Sequence, residues 1–221
     1  MKKIVFLCSG GGGTMRFVKE CVHRGILTNC EIAAVIADRD CEAARYAKLN
    51  NVENYIIEYS QKSPGQLQGI LEQLNPDLII TTIHKIIDAD TVDLYSGKMI
   101  NLHYSLLPAF KGKIGSETVR CAIDMNCKIL GTTVHYVEKK VDSGTIISQN
   151  AFPNSENTDF KAIMNRMFRL GCVNLINSMV IMGVAHSDGS ESFGEYSDSI
   201  FSPHVLVDLA SIDECIWHNI T

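Results

Sequence analysis

The sequence predicts an α/β domain whose central sheet is mainly parallel, is flanked by helices and carries an antiparallel addition. Short apolar runs rich in β-branched residues alternate with helical segments, which is the pattern of βαβ units. Residues 128–137 and 144–151 are predicted strands with no long helix between them, so this pair is expected to be antiparallel. A chain of 221 residues is long enough to bury a full core.

The individual elements follow from local pattern and punctuation. The first strand is an apolar run that ends at a glycine loop, and Asn75-Pro76 separates a helix from the strand that follows it. Predicted strands occupy residues 3–8, 31–37, 55–57, 77–82, 98–103, 128–137 and 144–151. Predicted helices occupy residues 15–24, 41–49, 65–74, 88–95 and 158–182.

The last of these helices is the longest, with Asn157 or Thr158 as its predicted cap. Its apolar residues recur at helical spacing, which is typical of core packing, at Phe160, Ile163, Met164, Met167 and Leu170. After Gly183 the sequence becomes rich in Ser, Asp and Gly, so we predict a domain over residues 1–183 and an appendage over 184–221. The appendage is expected to pack on the domain through Ile200, Phe201, Val205, Leu206 and Trp217.

Composition narrows the class of protein. Hydrophobic residues make up 46% and charged residues 20%, as in soluble globular domains. A net charge of -5, with no Lys/Arg run longer than two, argues against a nucleic-acid partner. No apolar stretch has membrane-span length, and the run after Met1 is too short for a signal peptide. The eight cysteines form no C-x-x-C pair, which predicts reduced thiols, a cytoplasmic location and no metal site.

The loop after the first strand is a run of glycines, Gly10 to Gly13, followed by Thr14. Opening a helix, such a loop presents free N–H groups and a positive dipole end to an anion. The dinucleotide fingerprint G-x-G-x-x-G fails here, although Asp38 lies where a ribose-binding acid would be expected. Two alternatives remain: Gly11, Gly12, Gly13 and Thr14 bind a phosphate or carboxylate, or they form a tight turn without a ligand.

The chemistry-bearing stretch is Asn101-Leu102-His103 at the end of a predicted strand. Residues i and i+2 of a strand share a face, so the amide and the imidazole project together. Asn101 is suited to donate to a carbonyl oxygen that gains negative charge, and His103 to act as a general acid or base. Asp142 supplies a carboxylate that would orient His103, hold a proton or accept one through water. Each residue alone is more often structural, and the combination indicates acyl-type transfer. His135 is predicted to be structural.

These residues, with the flanking Ser105-Leu106-Leu107-Pro108 and Gly131-Thr132-Thr133-Val134-His135, resemble the formyltransferase family that uses 10-formyltetrahydrofolate. The resemblance covers about residues 3 to 183 and is strongest to the members that formylate glycinamide ribonucleotide. It implies a Rossmann-like fold, with Asn101 on the formyl oxygen, His103 stabilising the tetrahedral intermediate and Asp142 managing the amine proton. It implies two small-molecule partners, a folate donor and an amine acceptor, for a monomer or homodimer.

The resemblance also implies where the donor binds. The pterin is expected against the segment before the Asn101 strand and against the loop that leads to Asp142. These positions are His84, Lys85, Ile86, Ile87, Glu138, Lys139, Lys140 and Val141. The three lysines among them are expected to meet the glutamate tail of the folate.

Departures from the family pattern fall on the acceptor side. Gly13 and Thr14 stand where the family supplies Ser and Asn beside a phosphate, and Tyr104 stands where Pro is usual. Arg169-Leu170 replaces a Glu-His pair, and Lys62 is the only cation from Tyr55 to Ile83. Glycinamide ribonucleotide is therefore the default acceptor, and a nucleotide-linked amino sugar or hydroxyornithine is the alternative.

Two further functions compete with amine formylation. Hydrolysis of 10-formyltetrahydrofolate would use the same residues, but such relatives carry an extra N-terminal module, whereas this chain is expected to begin at the first strand. A non-catalytic folate- or nucleotide-binding protein is disfavoured because all three catalytic positions are filled.

Overall fold

The computed structural model describes residues 1–155, 159–189 and 198–220. Its eight-stranded sheet has the order β3-β2-β1-β4-β5-β6-β7-β8. The strands are β1 Lys2–Cys8, β2 Cys30–Ala37, β3 Glu53–Ile56, β4 Leu78–Thr82, β5 Met99–His103, β6 Ile129–Tyr136, β7 Ile146–Pro153 and β8 Ile200–Ser202. The helices are α1 Gly13–His23, α2 Glu42–Leu49, α3 Gly65–Leu74, α4 Ala89–Leu94, α5 Ser116–Asp124, α6 Phe160–Ile181 and α7 Glu214–Ile220.

The predicted fold class is confirmed. β3, β2, β1, β4 and β5 are parallel, and every pairing from β5–β6 onward is antiparallel. The predicted strands and helices lie within about two residues of the observed ones. The parallel strands are buried on both faces, which explains their nearly continuous apolar runs. β5 is therefore the strand at which the sheet changes direction.

Three short elements were not predicted: α5, β8 and α7. β8 has only three residues, and its pairing with β7 is long-range, so no local pattern indicates it. α5 begins after Gly115, whose φ of 53° is in the left-handed region, within a segment that had been assigned to loop. Among the described helices, none is long and apolar enough to cross a membrane.

α6 packs across the antiparallel half of the sheet, and its residues Leu170 to Met179 are buried on every side. Its cap differs from the prediction: Asn157 and Thr158 lie outside the described residues. The Asp159 side chain occupies the cap position and accepts hydrogen bonds from the backbone N–H groups of Lys161 and Ala162. The predicted stripe is core, with Ile163, Met167 and Leu170 buried and Phe160 and Met164 partly buried.

The C-terminal segment packs on the rest of the chain at two places. β8 pairs with the sheet edge at β7, and α7 lies against α1 and α6. Trp217 stacks on Phe17 of α1 at 4.8 Å and meets the edge of Phe168 of α6 at 6.3 Å. Arg169 pairs with Glu214 beside them. The division of the chain at residue 183 stays a prediction.

Candidate active site

The site begins on β5, where Asn101 and His103 share one face of the sheet. β6 runs antiparallel beside it, with His135 opposite Asn101 and Thr133 opposite His103. Directly opposed residues of an antiparallel pair point to the same face. Asn101, His103 and His135 therefore lie on one face, where the parallel and antiparallel halves of the sheet meet.

Asp142 reaches this face from the turn between β6 and β7. Its backbone has a φ of 50°, a left-handed conformation that is uncommon for a residue with a side chain. The backbone N–H of Gly112 donates to its Oδ2 at 2.7 Å, and His103 Nδ1 lies 3.6 Å from the same oxygen. His135 Nε2 lies 3.7 Å from Oδ1. The carboxylate thus sits between two imidazoles.

The Gly131-Thr132-Thr133 motif holds the segment that follows the catalytic strand. The Thr133 hydroxyl accepts a hydrogen bond from the N–H of Leu107 at 3.0 Å and donates to the carbonyl of Ser105 at 2.7 Å. Thr132 lies in a buried polar cluster in which Asn150 bonds its N–H and its hydroxyl. The motif therefore fixes the chain beyond His103, a role distinct from contact with a substrate.

Burial keeps both imidazoles neutral. Desolvation lowers the pKa of His103, while Asp142 raises it and His135 lowers it further. Desolvation also lowers the pKa of His135, and a hydrogen bond from its Nδ1 to the carbonyl of Tyr136 at 2.8 Å opposes that shift. Within the part of the chain that the structure describes, neither Nε2 has a hydrogen-bond partner. The two nitrogens are available to a ligand or to water.

These lowered pKa values predict that the protein loses stability in mild acid. An unfolded histidine takes up a proton near its ordinary pKa of about 6.5, whereas His103 and His135 resist protonation in the fold. Their contribution is complete above that value and is lost as the pH falls toward the lowered folded values. Melting temperatures between about pH 8 and pH 5 should fall less steeply for His135→Asn than for the parent. His23→Asn, which removes an exposed histidine, should keep the parent slope; equal slopes for all three would contradict the assignment.

A cleft of about 530 Å³ opens at this face and contains all three predicted catalytic residues. Six of the eight predicted donor positions line it: His84, Lys85, Ile86, Ile87, Glu138 and Val141. Lys139 and Lys140 are not among its lining residues, and Lys139 forms an ion pair with Asp93 at 2.7 Å. The cleft therefore brings the predicted donor segment and the predicted catalytic residues together.

The glycine loop contributes less to the cleft than the sequence suggested. Of its four predicted ligand-binding residues, only Thr14 lines the cleft. Gly12, with a φ of 71°, is the N-cap of α1 and packs tightly against Ala43 of α2. The Asp38 carboxylate, which lies where a ribose-binding acid was considered, is bonded to Arg39 and Ser9.

Sequence reasoning missed three residues of the site. His135 was assigned a structural role, yet it faces Asp142; its place opposite Asn101 follows only from the strand register. Lys113 and Ile114 line the cleft from the segment between two left-handed glycines, Gly112 and Gly115. The glycines themselves were the available signal. No group of three or more His, Cys, Asp or Glu side chains suited to a metal occurs among residues 1–155, 159–189 and 198–220.

Comparison with known proteins bears on this geometry. A family model described as formyl transferase matches residues 2–178. The chain belongs to the formyl transferase family. This is a family of enzymes that use 10-formyltetrahydrofolate, so a folate donor fits a cleft that contains an amide, two neutral imidazoles and a carboxylate.

The relatives named for one activity are distant in sequence. Phosphoribosylglycinamide formyltransferase of Bacillus subtilis is 32% identical over 180 residues, covering 77% of this chain and 89% of that protein. The chloroplastic enzyme of Arabidopsis thaliana is 27% identical over 159 residues, covering 68% of this chain. The match covers 54% of the Arabidopsis protein, so the chain spans about half the length of such relatives.

Solved structures show the same fold. Glycinamide ribonucleotide transformylase 1 of Symbiobacterium toebii has 26% identity and a TM-score of 0.75, covering 83% of this chain and 89% of that one. A formyltetrahydrofolate deformylase of Pseudomonas syringae has 20% identity and a TM-score of 0.71, covering 81% of this chain and 60% of that one. The latter likeness concerns the fold alone.

Proposed function

We propose that this protein transfers a formyl group from 10-formyltetrahydrofolate to a primary amine, with Asn101, His103 and Asp142 as its catalytic residues. The observation that carries the proposal is the position of the Asp142 carboxylate between His103 and His135, on the face that holds Asn101. An amide donor, a titratable ring and a proton acceptor are what acyl transfer between two nitrogens requires.

The roles follow from charge and position. The amine nitrogen attacks the formyl carbon, and the Asn101 amide donates to the oxygen that becomes negative. The buried imidazole of His103 stabilises the same tetrahedral intermediate through its unpartnered Nε2. Asp142 accepts the proton that the amine must lose, and the bond from the formyl carbon to N10 of the folate then breaks. N10 takes up a proton as tetrahydrofolate leaves, so the overall transfer releases none to solvent.

His135 is assigned a positioning role in this mechanism. A carbonyl oxygen only accepts, so the bond between His135 Nδ1 and Tyr136 places a hydrogen on Nδ1. Nε2 then faces Asp142 Oδ1 and is free to share a proton with it. Gly112 and His135 together hold Asp142 from its two oxygens.

The donor side predicts a charge effect at Lys85. The Lys85→Glu variant is expected to raise the KM for the folate donor about tenfold, because a carboxylate replaces a cation facing the acidic tail. The KM for the acceptor should change little. The same assay on Lys139→Glu is a comparison, since Lys139 already pairs with Asp93 and should matter less. A raised acceptor KM with an unchanged donor KM would refute this placement of the folate tail.

The acceptor is a separate question. The names of the relatives make glycinamide ribonucleotide, and hence purine biosynthesis, the first acceptor to test. A different primary amine is the second candidate, favoured by the replacements at Gly13, Thr14, Tyr104 and Arg169-Leu170. Hydrolysis of the donor is a third outcome that the same assay detects. The cytoplasmic location expected from the cysteines stays a prediction.

The test is release of tetrahydrofolate from a 10-formyl donor, followed by absorbance. Three reactions are compared: one with glycinamide ribonucleotide, one with each of a panel of primary amines, and one without an acceptor. Amine-dependent release supports the proposal. Release at the same rate without an acceptor would replace transferase with hydrolase, and a donor that neither binds nor turns over would refute both.

A further inference from the structure

The glycine loop lies at the acceptor end of the cleft, beside the residues proposed to carry the transfer. A helix N-terminus with free N–H groups is a common phosphate site, and α1 begins here without a side-chain cap. Four features of the surrounding structure bear on whether a phosphoryl group can use it.

The loop is turned away from the cleft. Gly11, Gly12 and Gly13 are not among the residues that line it, and Thr14 is largely buried. The Thr14 hydroxyl is hydrogen-bonded to the Cys172 side chain, which is buried inside α6. The one side-chain donor that the loop offers to a ligand is therefore already used within the core.

An aromatic ring covers Gly13. A Cβ atom at this position would meet Phe168 Cζ at 2.9 Å, so the absence of a side chain is required by the ring. The Phe168 ring is in turn backed by the edge of Trp217 from the C-terminal helix α7. Apolar groups stand where a phosphate oxygen would need donors, and they give none.

A carboxylate approaches the loop from the other side. Glu42 Oε2 would lie 3.6 Å from a Cβ at Gly11, and α2 is held to the loop by the bond from the N–H of Ala43 to the carbonyl of Gly10. The Glu42 side chain is 69% exposed. A phosphate dianion at Gly11 would face this charge of the same sign.

The arginines near the loop are already paired. Arg16 lies 3.6 Å from Glu42, Arg39 bonds Asp38 at 2.7 Å and Arg45 bonds Asp40 at 2.9 Å, each with a carboxylate of this chain. In the cleft itself Lys113 pairs with Glu117 at 2.6 Å, and Lys85 lies near Asp38. Phosphate sites rely on charge-assisted bonds from such cations, and here carboxylates hold them.

We infer that the acceptor is a primary amine that is recognised without a phosphoryl group at the glycine loop. The inference rests on the proposed function and narrows its substrate class. The amine reaches Asn101 and His103 through the end of the cleft that Thr14 and Tyr104 line. Gly11 to Gly13 serve there as a tight strand-to-helix connection on which Phe168 packs.

The first test compares two acceptors that differ only in phosphate, glycinamide ribonucleotide and its dephosphorylated riboside. With the 10-formyl donor saturating, their kcat/KM values should agree within about threefold, because no group of the protein waits for the phosphate. A site built for that group would reject the analogue lacking it by a factor of up to about 10⁴. A preference of about a hundredfold or more for the ribonucleotide would overturn the inference.

A second test is independent of turnover, so it decides the matter if neither amine is a substrate. Backbone amide resonances of Gly11, Gly12 and Gly13 are followed while inorganic phosphate is added into the millimolar range. They should not shift, and saturable shifts would overturn the inference. A folate donor added to the same sample should shift Lys85, Ile86 and Val141; failure of that arm would count against the proposed function and leave the result on the loop standing.

A variant tests the cause. Removing the carboxylate and the ring together, in Glu42→Gln Phe168→Ala, should give the loop a saturable response to phosphate. Glu31→Gln Phe160→Ala, a matched change away from the loop, should not. No response in the first variant would mean that Glu42 and Phe168 do not keep phosphate from the loop.

Discussion

The His103→Ala variant is expected to lower turnover by at least about a hundredfold, the scale usual for acid–base or oxyanion groups. His103 is buried, and its Nε2 has no partner among the described residues, so its removal leaves the intermediate without this donor and opens a void beside Asp142. The measurement is single-turnover formyl transfer with saturating donor and acceptor, which separates chemistry from binding. Asn101→Ala and Asp142→Asn are expected to lower the same rate by a similar factor.

The control for this prediction is His186→Ala, which removes a histidine outside the cleft-lining residues and should leave turnover unchanged. Melting temperatures of all variants show whether a lost rate reflects a lost fold. Parent-like turnover in His103→Ala would refute its catalytic role. Parent-like turnover at all three positions would favour a folate-binding protein without catalysis.

The second large effect is expected on stability, at Gly131. A Cβ there would lie 2.0 Å from the backbone oxygen of Asn150 and 2.8 Å from Leu106 Cδ2, so Gly131→Ala forces β6 and β7 apart. Overpacking costs up to about 3 kcal/mol where side chains can adjust, and here a backbone must move, so we expect a loss of about 3 kcal/mol or more. For a chain of this size that lowers the melting temperature by roughly 6–12 °C.

Gly69→Ala is the matched control for Gly131→Ala. Gly69 is exposed in the interior of α3, and a Cβ there meets nothing within 4 Å. Alanine is the better helix former by about 1 kcal/mol, so the control should melt slightly above the parent. Equal melting temperatures for the two variants would show that the strand pair accommodates the methyl group, contrary to the geometry.

Much of the fold could be predicted because it is encoded locally. The parallel strands are continuous apolar runs, since both of their faces are buried, and glycine or Asn-Pro ends them in the sequence as in the structure. The shared face of Asn101 and His103 follows from the two-residue period of a strand. β8 and α7 could not be found this way, because their stability comes from contacts with β7 and α1.

The roles of His135 and of the glycine loop depend on tertiary contacts. His135 looks like any alternating strand residue until β6 is registered against β5, and only then does it lie opposite Asn101 and beside Asp142. The glycine run has the pattern of an anion site, yet Phe168 and Trp217, more than 150 residues away along the chain, close one side of it.

Residue pattern was therefore sufficient for the fold class, the family and the amide–imidazole–carboxylate set, because strand period and short motifs report on neighbours along the chain. The surroundings of that set were decided by packing. Burial lowers the pKa values of His103 and His135, and the side chains around Gly11 and Gly13 come from separate helices. Desolvation and contact between distant segments exist only in the folded chain, so the character of the acceptor site became visible only there.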